Sequence, residues 1–298
     1  MHFTLRQLDV FLAVAHYENV TRAAASLALS QSATSTALKE LEQRFEVQLF
    51  DRIGKRLQLN ELGRLVRPRA EALMAQAREF ERQLSRHDEI GILKVGATLT
   101  IGNYLAIGIM AGFMSRHPGA RVELTVENTA AIAARVRNFE LDVGLVEGEL
   151  QDPDIEVIPW RNDELVVFCA PDHPLATQSP LQDEQLLSAD WVVRETGSGT
   201  RQAFDRAMAG LLPKLKLRLE LQHTEGIKRA VEAGLGIGCL SRIALEDAFR
   251  RGSLVPLSAP HRHWQRQFYF ILHKQKYHST GIRNWLELCR STVEVPAD

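Results

Sequence analysis

Apolar residues in the N-terminal third recur with the period of an α-helix. Leu5, Leu8, Phe11, Leu12 and Ala15 fall on one face, and Thr4 stands where an N-cap belongs. A second, short helix restarts in "ENVTRAAASLALS", where Ala23, Ala24 and Leu27 share a face small enough to admit a close neighbour. Ser30 is placed to cap a third helix whose inward stripe reads Ala33, Ala37, Leu38, Leu41 and Phe45. Its opposite face carries Gln31, Ser32, Thr34, Ser35, Thr36 and Lys39. Two short helices joined by the tight "LALS" turn predict a helix-turn-helix, with the third helix of the set lying in a DNA major groove.

The next segment, "VQLFDRIGKRLQLN", has the order of a small β-wing. Leu49 and Phe50 are expected to pack inward, with Arg52, Lys55 and Arg56 flanking a turn at Gly54. From Asn60 to about Arg86 a long helix is predicted. Val66, Leu73, Ala77, Phe80 and Leu84 form a narrow stripe suited to a coiled-coil partner, and Pro68 should bend the helix or confine its regular part to the later turns. Beyond "RHDEIG" the pattern becomes strands alternating with helices. "ILKVGAT", "RVELTVEN", "LDVGLVEG", "ELVVFCA" and "WVVRE" read as strands, while "NYLAIGIMAGFMSRHPG" and "TAAIAARVRNFE" read as helices. Two such α/β units, a return strand "QRQFYFILH" and a terminal helix imply two lobes.

Composition narrows the partners. A formal net charge of -1 gives no overall field for nucleic acid, so contact with DNA must come from a local patch. Gln pairs with adenine, Ser and Thr suit several base edges, and the cations at 52, 55 and 56 suit phosphates. Three distant cysteines fit neither a disulfide framework nor a zinc site, and indicate a reducing cytoplasm. No signal peptide or membrane-spanning run is evident. Nor is there a P-loop, HExxH or GxSxG pattern, so neither an enzyme nor a cofactor is expected. "GLGIGCLS" follows a helix and leads into a strand, the reverse of a dinucleotide loop, and reads as a turn with close packing.

Two loops carry the remaining candidate chemistry. "GATLTIGNYL" and "ETGSGTRQAF" each place hydroxyls between a strand and a helix start: Thr98 and Thr100 in the first, Thr196, Ser198 and Thr200 in the second. Each threonine alone fits a simple N-cap. As a facing pair the loops could hold a small oxyanion with no side-chain cation. Glu147, at the end of "GLVEGEL", should point toward the same place, where a bare carboxylate would repel an anion. Three readings stay open: neutralisation by Lys228 or Arg201, acceptance of a proton from a protonated oxyanion, and a rim carboxylate paired to a lysine.

The segments "LRQLDVFLAVA", "TRAAASLALSQSATSTALKELEQRF" and "VQLFDRIGKRLQLNELG" resemble the N-terminal signature of LysR-type transcriptional regulators. "TLTIGNYL", "VGLVEGEL", "RETGSGTR" and "IKRAVEAGLGIGCLSR" look like the sulfur-assimilation, sulfite-responsive branch of that family. Glu46 stands where the family usually has Gly, and Asn60 where it has a Thr cap. A non-Gly residue at positive φ costs on the order of 1 kcal/mol, and Asn caps well.

The resemblance implies a mainly helical winged helix-turn-helix at 1–59, a dimerisation linker helix at 60–87 and a hinge at 88–92. A two-lobed α/β effector domain with a periplasmic-binding-protein-like fold would follow, lobe I at 93–161 and 266–298 and lobe II at 162–265. It further implies double-stranded promoter DNA as partner, a dimer of dimers, contact with RNA polymerase and a small anionic effector. The effector would be sulfite or a related sulfur oxyanion, with another small organic metabolite as the alternative. The effector residues on this reading are Thr98, Thr100, Ile101, Glu147, Thr196, Gly197, Ser198 and Lys228.

Overall fold

The computed structural model describes residues 2–53, 56–84, 91–178 and 180–292. The chain divides into two units, Met1–Glu89 with Lys274–Gly281 and Ile90–His273 with Ile282–Asp298.

In the first unit, α1 (Leu5–Tyr17) begins in a capping box. Thr4 Oγ1 accepts from Gln7 N–H while Gln7 Oε1 accepts from Thr4 N–H. Asn19 caps α2 (Val20–Ser26) and Ser30 caps α3 (Gln31–Arg44). Between them Ala28 takes φ 53°, which turns the chain sharply. Glu46 also adopts φ 53° just past α3, the left-handed position its place in the sequence implied. Strands β1 (Phe50–Ile53) and β2 (Arg56–Leu59) form an antiparallel hairpin, the wing. Gly54 and Lys55, at its expected turn, lie outside the described residues.

Phe11, Leu38, Leu41, Leu49 and Phe50 share one core, on which Ala70 and Met74 of α4 (Glu61–Leu84) also pack. The stripe of α3 departs from expectation. Ala33 is exposed and Phe45 is 47% exposed, whereas Thr34, Leu38 and Leu41 are buried. Leu38, Leu41 and the core-packed Ala37 lie where the predicted stripe put them, and only its ends differ, with Thr34 taking the place of Ala33 in the first turn.

Helix α4 starts at an Asn60 cap, Gly63 N–H donating to Asn60 Oδ1 at 2.8 Å. It continues as one helix through Pro68 rather than being confined to its later turns. Val66 packs on the unit's own core, while Leu73, Phe80 and Leu84 are 45%, 61% and 66% exposed.

The second unit is built on one mixed sheet. Its first lobe contains β3 (Ile92–Ala97), a short α5 (Leu99–Ile101), α6 (Ile107–Arg116), β4 (Arg121–Val126), α7 (Thr129–Arg137) and β5 (Val143–Glu147). The helix expected from Asn103 thus starts at Leu99 and widens to a π-helical turn over Gly102–Ala106. Strand β6 (Ile155–Cys169) then crosses into the second lobe. That lobe holds α8 (Asp183–Ser188), β7 (Asp190–Arg194), α9 (Gly199–Ala207), β8 (Lys216–Leu221), α10 (Thr224–Glu232), β9 (Ile237–Ser241), α11 (Arg242–Arg251) and β10 (Val255–Leu257). Strand β11 (Gln265–His273) returns the chain to the first lobe, ahead of α12 (Thr280–Ser291).

The sheet order is β4-β3-β5-β11-β6-β9-β7-β8, with β10 on β6. Parallel pairs at both ends meet antiparallel β6 and β11 in the middle. Phe113, Trp160, Phe268, Phe270 and Trp285 fill the core of lobe I; Trp191 and Phe204 anchor that of lobe II. Cys169, Cys239 and Cys289 are buried, and burial pushes the Cys169 thiol up to about 11. Gly236 and Gly238 serve close packing: a Cβ on Gly236 would sit 2.3 Å from Asp190 O. No described helix is long and apolar enough to cross a membrane. Residues 88–90 of the expected hinge lie outside the described residues.

Candidate functional site

On the first unit, α3 presents Gln31, Ser32, Ser35, Thr36 and Lys39 to solvent. Arg52 and Arg56, one on each strand of the wing, are exposed as well. Amide and hydroxyl groups able to bond base edges and two cations able to bond phosphate therefore belong to the same small unit. Thr34 is a correction to the predicted face. It is 0% exposed, and its hydroxyl donates to Ser30 O at 3.0 Å, so it supports the helix start. Lys55 lies outside the described residues.

In the second unit the two hydroxyl loops do converge, and an anion lies between them: the carboxylate of Glu147. Thr98 Oγ1 donates to its Oε1 at 3.0 Å and Thr100 N–H to the same oxygen at 3.1 Å. Thr200 Oγ1 donates to Oε2 at 2.7 Å, and Arg266 Nη1 reaches that oxygen at 2.5 Å. Arg266 Nε bonds Asp163 Oδ2 at 2.6 Å, and Ser241 Oγ completes the chain to Asp163 Oδ1 at 2.8 Å. Burial alone would raise the Glu147 pKa. The Arg266 guanidinium and the hydrogen bonds from Thr100 and Thr200 prevail and hold it at about 2, so the group is an anion at neutral pH.

Glu147 is thus neither a rim carboxylate nor poised to accept a proton. Its counter-ion is Arg266 rather than Lys228 or Arg201. Lys228 pairs with Glu225 at 2.6 Å, and Arg201 pairs with Asp205 and Glu220. Ile101 is a further correction: its side chain is 0% exposed in the core of lobe I, because α5 turns it inward.

Arg266 and Asp163 were missed by the sequence reading, though a signal exists. In "QRQFYFILH" the alternation that buries Phe268 and Phe270 puts Arg266 on the same face. Asp163 likewise shares a face with Leu165 and Val167. A charge on a core face requires a partner. Gly199 makes the convergence possible, since a Cβ there would lie 1.9 Å from Glu147 O.

Open space remains beside the cluster. One cavity of about 460 Å³ is lined by Leu99, Asn103, Glu127 and Asn128 from lobe I and by Glu195, Gln222 and His223 from lobe II. A second, of about 360 Å³, is lined by Thr129 and Glu149 on one side and by Thr196, Gly197, Ser198 and Arg201 on the other. Near the first cavity, Tyr104 of lobe I donates to Glu225 of lobe II at 2.7 Å. Burial and the adjacent Glu225 carboxylate both raise the Tyr104 pKa, so the phenol keeps its proton. Thr224, 1% exposed at the start of α10, has a hydroxyl with no hydrogen-bond partner among the described residues.

Residues 5–64 match the bacterial regulatory helix-turn-helix proteins of the lysR family, and residues 86–294 match the LysR substrate binding domain. The regulator YeiE of Escherichia coli K12 is 45% identical over 289 residues, 97% of this chain and 98% of that protein. The regulator CysL of Bacillus subtilis is 31% identical over 242 residues, 80% of each chain. A full-length OxyR variant from Pseudomonas aeruginosa has a similar fold, with a TM-score of 0.75 at 20% identity, covering 100% of this chain and 96% of that one. The regulatory domain of Synechocystis CcmR, solved with 2-PG, gives 0.64 at 29% identity over 70% of this chain and 100% of that domain.

Proposed function

The chain belongs to the LysR family of bacterial transcriptional regulators, and from that premise we propose how its residues divide the work. The third helix reads base edges in a major groove through Gln31, Ser32, Ser35 and Thr36, with Lys39, Arg52, Lys55 and Arg56 on phosphates. The observation that carries this reading is the exposed amide and hydroxyl face of α3 on the same unit as the exposed wing arginines. Leu73, Phe80 and Leu84 of α4 form the seam to a second copy, pairs of dimers span separated half-sites, and promoter-bound regulator contacts RNA polymerase.

The effector is a small anion taken into the cleft of about 460 Å³ between the lobes, where Asn103, Asn128, Gln222 and His223 supply polar contacts. Sulfite or a related sulfur oxyanion is the leading candidate, a reading that rests on the resemblance of "TLTIGNYL", "VGLVEGEL" and "RETGSGTR" to the sulfur-assimilation branch of the family. A cavity of this size also suits another small organic metabolite, a reading supported by likeness to CcmR, solved with 2-PG. Effector binding shifts lobe closure, and through it the angle between reading heads, by its difference in affinity for the two states.

Calorimetry with sulfite, sulfate, thiosulfate and a panel of small organic acids separates the two effector readings. Binding of sulfite alone supports the first, and binding of one of the organic acids alone supports the second. A footprint on a selected DNA fragment that is identical with and without the bound effector would overturn the coupling.

A further inference from the structure

The chain crosses between the two units three times, at 89–90, 273–274 and 281–282. The last two crossings enclose Lys274–Gly281, a segment that packs with the first unit although the residues on both sides of it belong to the second. Each end of the segment is fixed in lobe I. Before it, β11 pairs with β5 and β6 and ends at His273, which is 5% exposed and lies against the Phe139 ring at a centroid distance of 4.1 Å. Phe139 takes φ 58°, a backbone conformation that bulky residues rarely adopt, so this contact is kept despite local strain. After the segment, α12 starts at Thr280 and sends Ile282, Trp285 and Leu286 into the core of lobe I. Thr280 Oγ1 donates to Glu79 Oε1 of α4 at 2.7 Å. One stiff helix therefore begins in the first unit and has its body in lobe I of the second.

We propose that Lys274–Gly281 is a clip that makes the linker helix α4 follow lobe I, and that the bond from Thr280 to Glu79 holds it in register. This rests on the reading in which the effector domain controls the angle between reading heads. A swing of lobe II then takes place against a body that includes α4, and the clip turns a change in the cleft into a change in the direction of the linker helix. Thr280 and Glu79 are positioning residues. Neither lines the cavities described above, and neither belongs to α3 or the wing.

Linkage between two sites is reciprocal, so DNA on the first unit must act on the cleft if the cleft acts on the first unit. The probe is therefore a duplex selected from a random library by the full-length wild-type protein, and no effector is needed. The reporter is the bond between lobes from Ala130 N–H to Gly197 O at 3.3 Å, followed by amide hydrogen exchange in peptides covering the start of α7. Saturating duplex should change exchange there by about fivefold or more in the wild type. Full-length Thr280→Val keeps the shape of the side chain without its hydroxyl, and the duplex should leave its α7 exchange unchanged. Glu79→Ala should lose the response in the same way, and Thr280→Ser, which keeps the donor, should restore it. Protection of α3 in the same experiment should show the duplex bound to every variant. A response that survives in Thr280→Val and Glu79→Ala overturns the clip and leaves the coupling standing. No response in the wild type overturns both. Loss of the response in Thr280→Ser, or its loss together with α3 protection, also overturns the clip, because the hydroxyl bond is then not what carries it.

Discussion

The face of α3 and the cluster around Glu147 are made from the same kinds of residue, hydroxyl side chains with arginine nearby, yet they are in opposite states. Ser32, Ser35 and Thr36 stand in solvent, with Arg52 and Arg56 exposed on the same unit. Thr98, Thr100, Thr200 and Arg266 are buried and already spend their donors on a carboxylate of the same chain. Composition does not distinguish a surface built for an outside anion from one built around an inside anion; packing does. On α3 no other described segment approaches closely enough to bury that face. In the second unit Gly199 lets α9 come against β5 and brings its own anion within reach.

The largest expected effect is at the buried cluster. Arg266→Met leaves Glu147 and Asp163 buried without their cation and should cost about 3–5 kcal/mol in urea unfolding of the second unit. A loss below about 1 kcal/mol, the range of exposed ion pairs, would erase the distinction between the two regions.

Acid should act on the same side of the comparison. The folded-state pKa of Glu147 is depressed to about 2, below the ordinary value in the unfolded chain. Its contribution is therefore present above the unfolded pKa and lost as pH falls through the folded one, over a window of about pH 5 to 2. Glu147→Gln should flatten that part of the pH dependence of the unfolding midpoint.

On α3 the effects should appear in binding. Gln31→Ala should relax base preference at one position by about 1–3 kcal/mol. Arg52→Ala should weaken all sequences alike and reduce the salt slope by about 1. Equal losses across all sequences from both substitutions would contradict the division of roles. The smallest effect belongs to Thr34→Val, which removes one helix-start hydrogen bond. About 1 kcal/mol or less of stability should be lost, with base preference unchanged; altered preference would return Thr34 to the reading face.

Much of this organisation was legible in the sequence because it rests on periodicity and local capping. Thr4, Asn60 and Ser30 announced helix starts, and the spacing of apolar residues gave the helix-turn-helix and the alternation of the α/β lobes. The convergence of the two threonine loops was legible too, since both follow strands of one sheet. That Glu147 points into it was legible as well; its counter-ion was not, because Arg266 lies 119 residues from Glu147 along the chain. A pairing at that separation is set by strand order, which local pattern does not encode. The first turn of the α3 stripe was misplaced for a simpler reason. Thr34 reads as polar, but its hydroxyl is satisfied by its own helix, which leaves the rest of the side chain free to pack inward.

Strand β6 runs unbroken for 15 residues, and β11 lies antiparallel beside it with Arg266 directly opposite Asp163. A slip in their register occurs between Phe268 and Tyr269, only a short way along the same ribbon. The two halves of the effector domain are thus joined by a double-stranded strap instead of by loose connectors. Such a strap flexes and twists most readily where its ladder is irregular, so motion between the halves should be a swing about that point, and a sliding displacement would require the whole ladder to break.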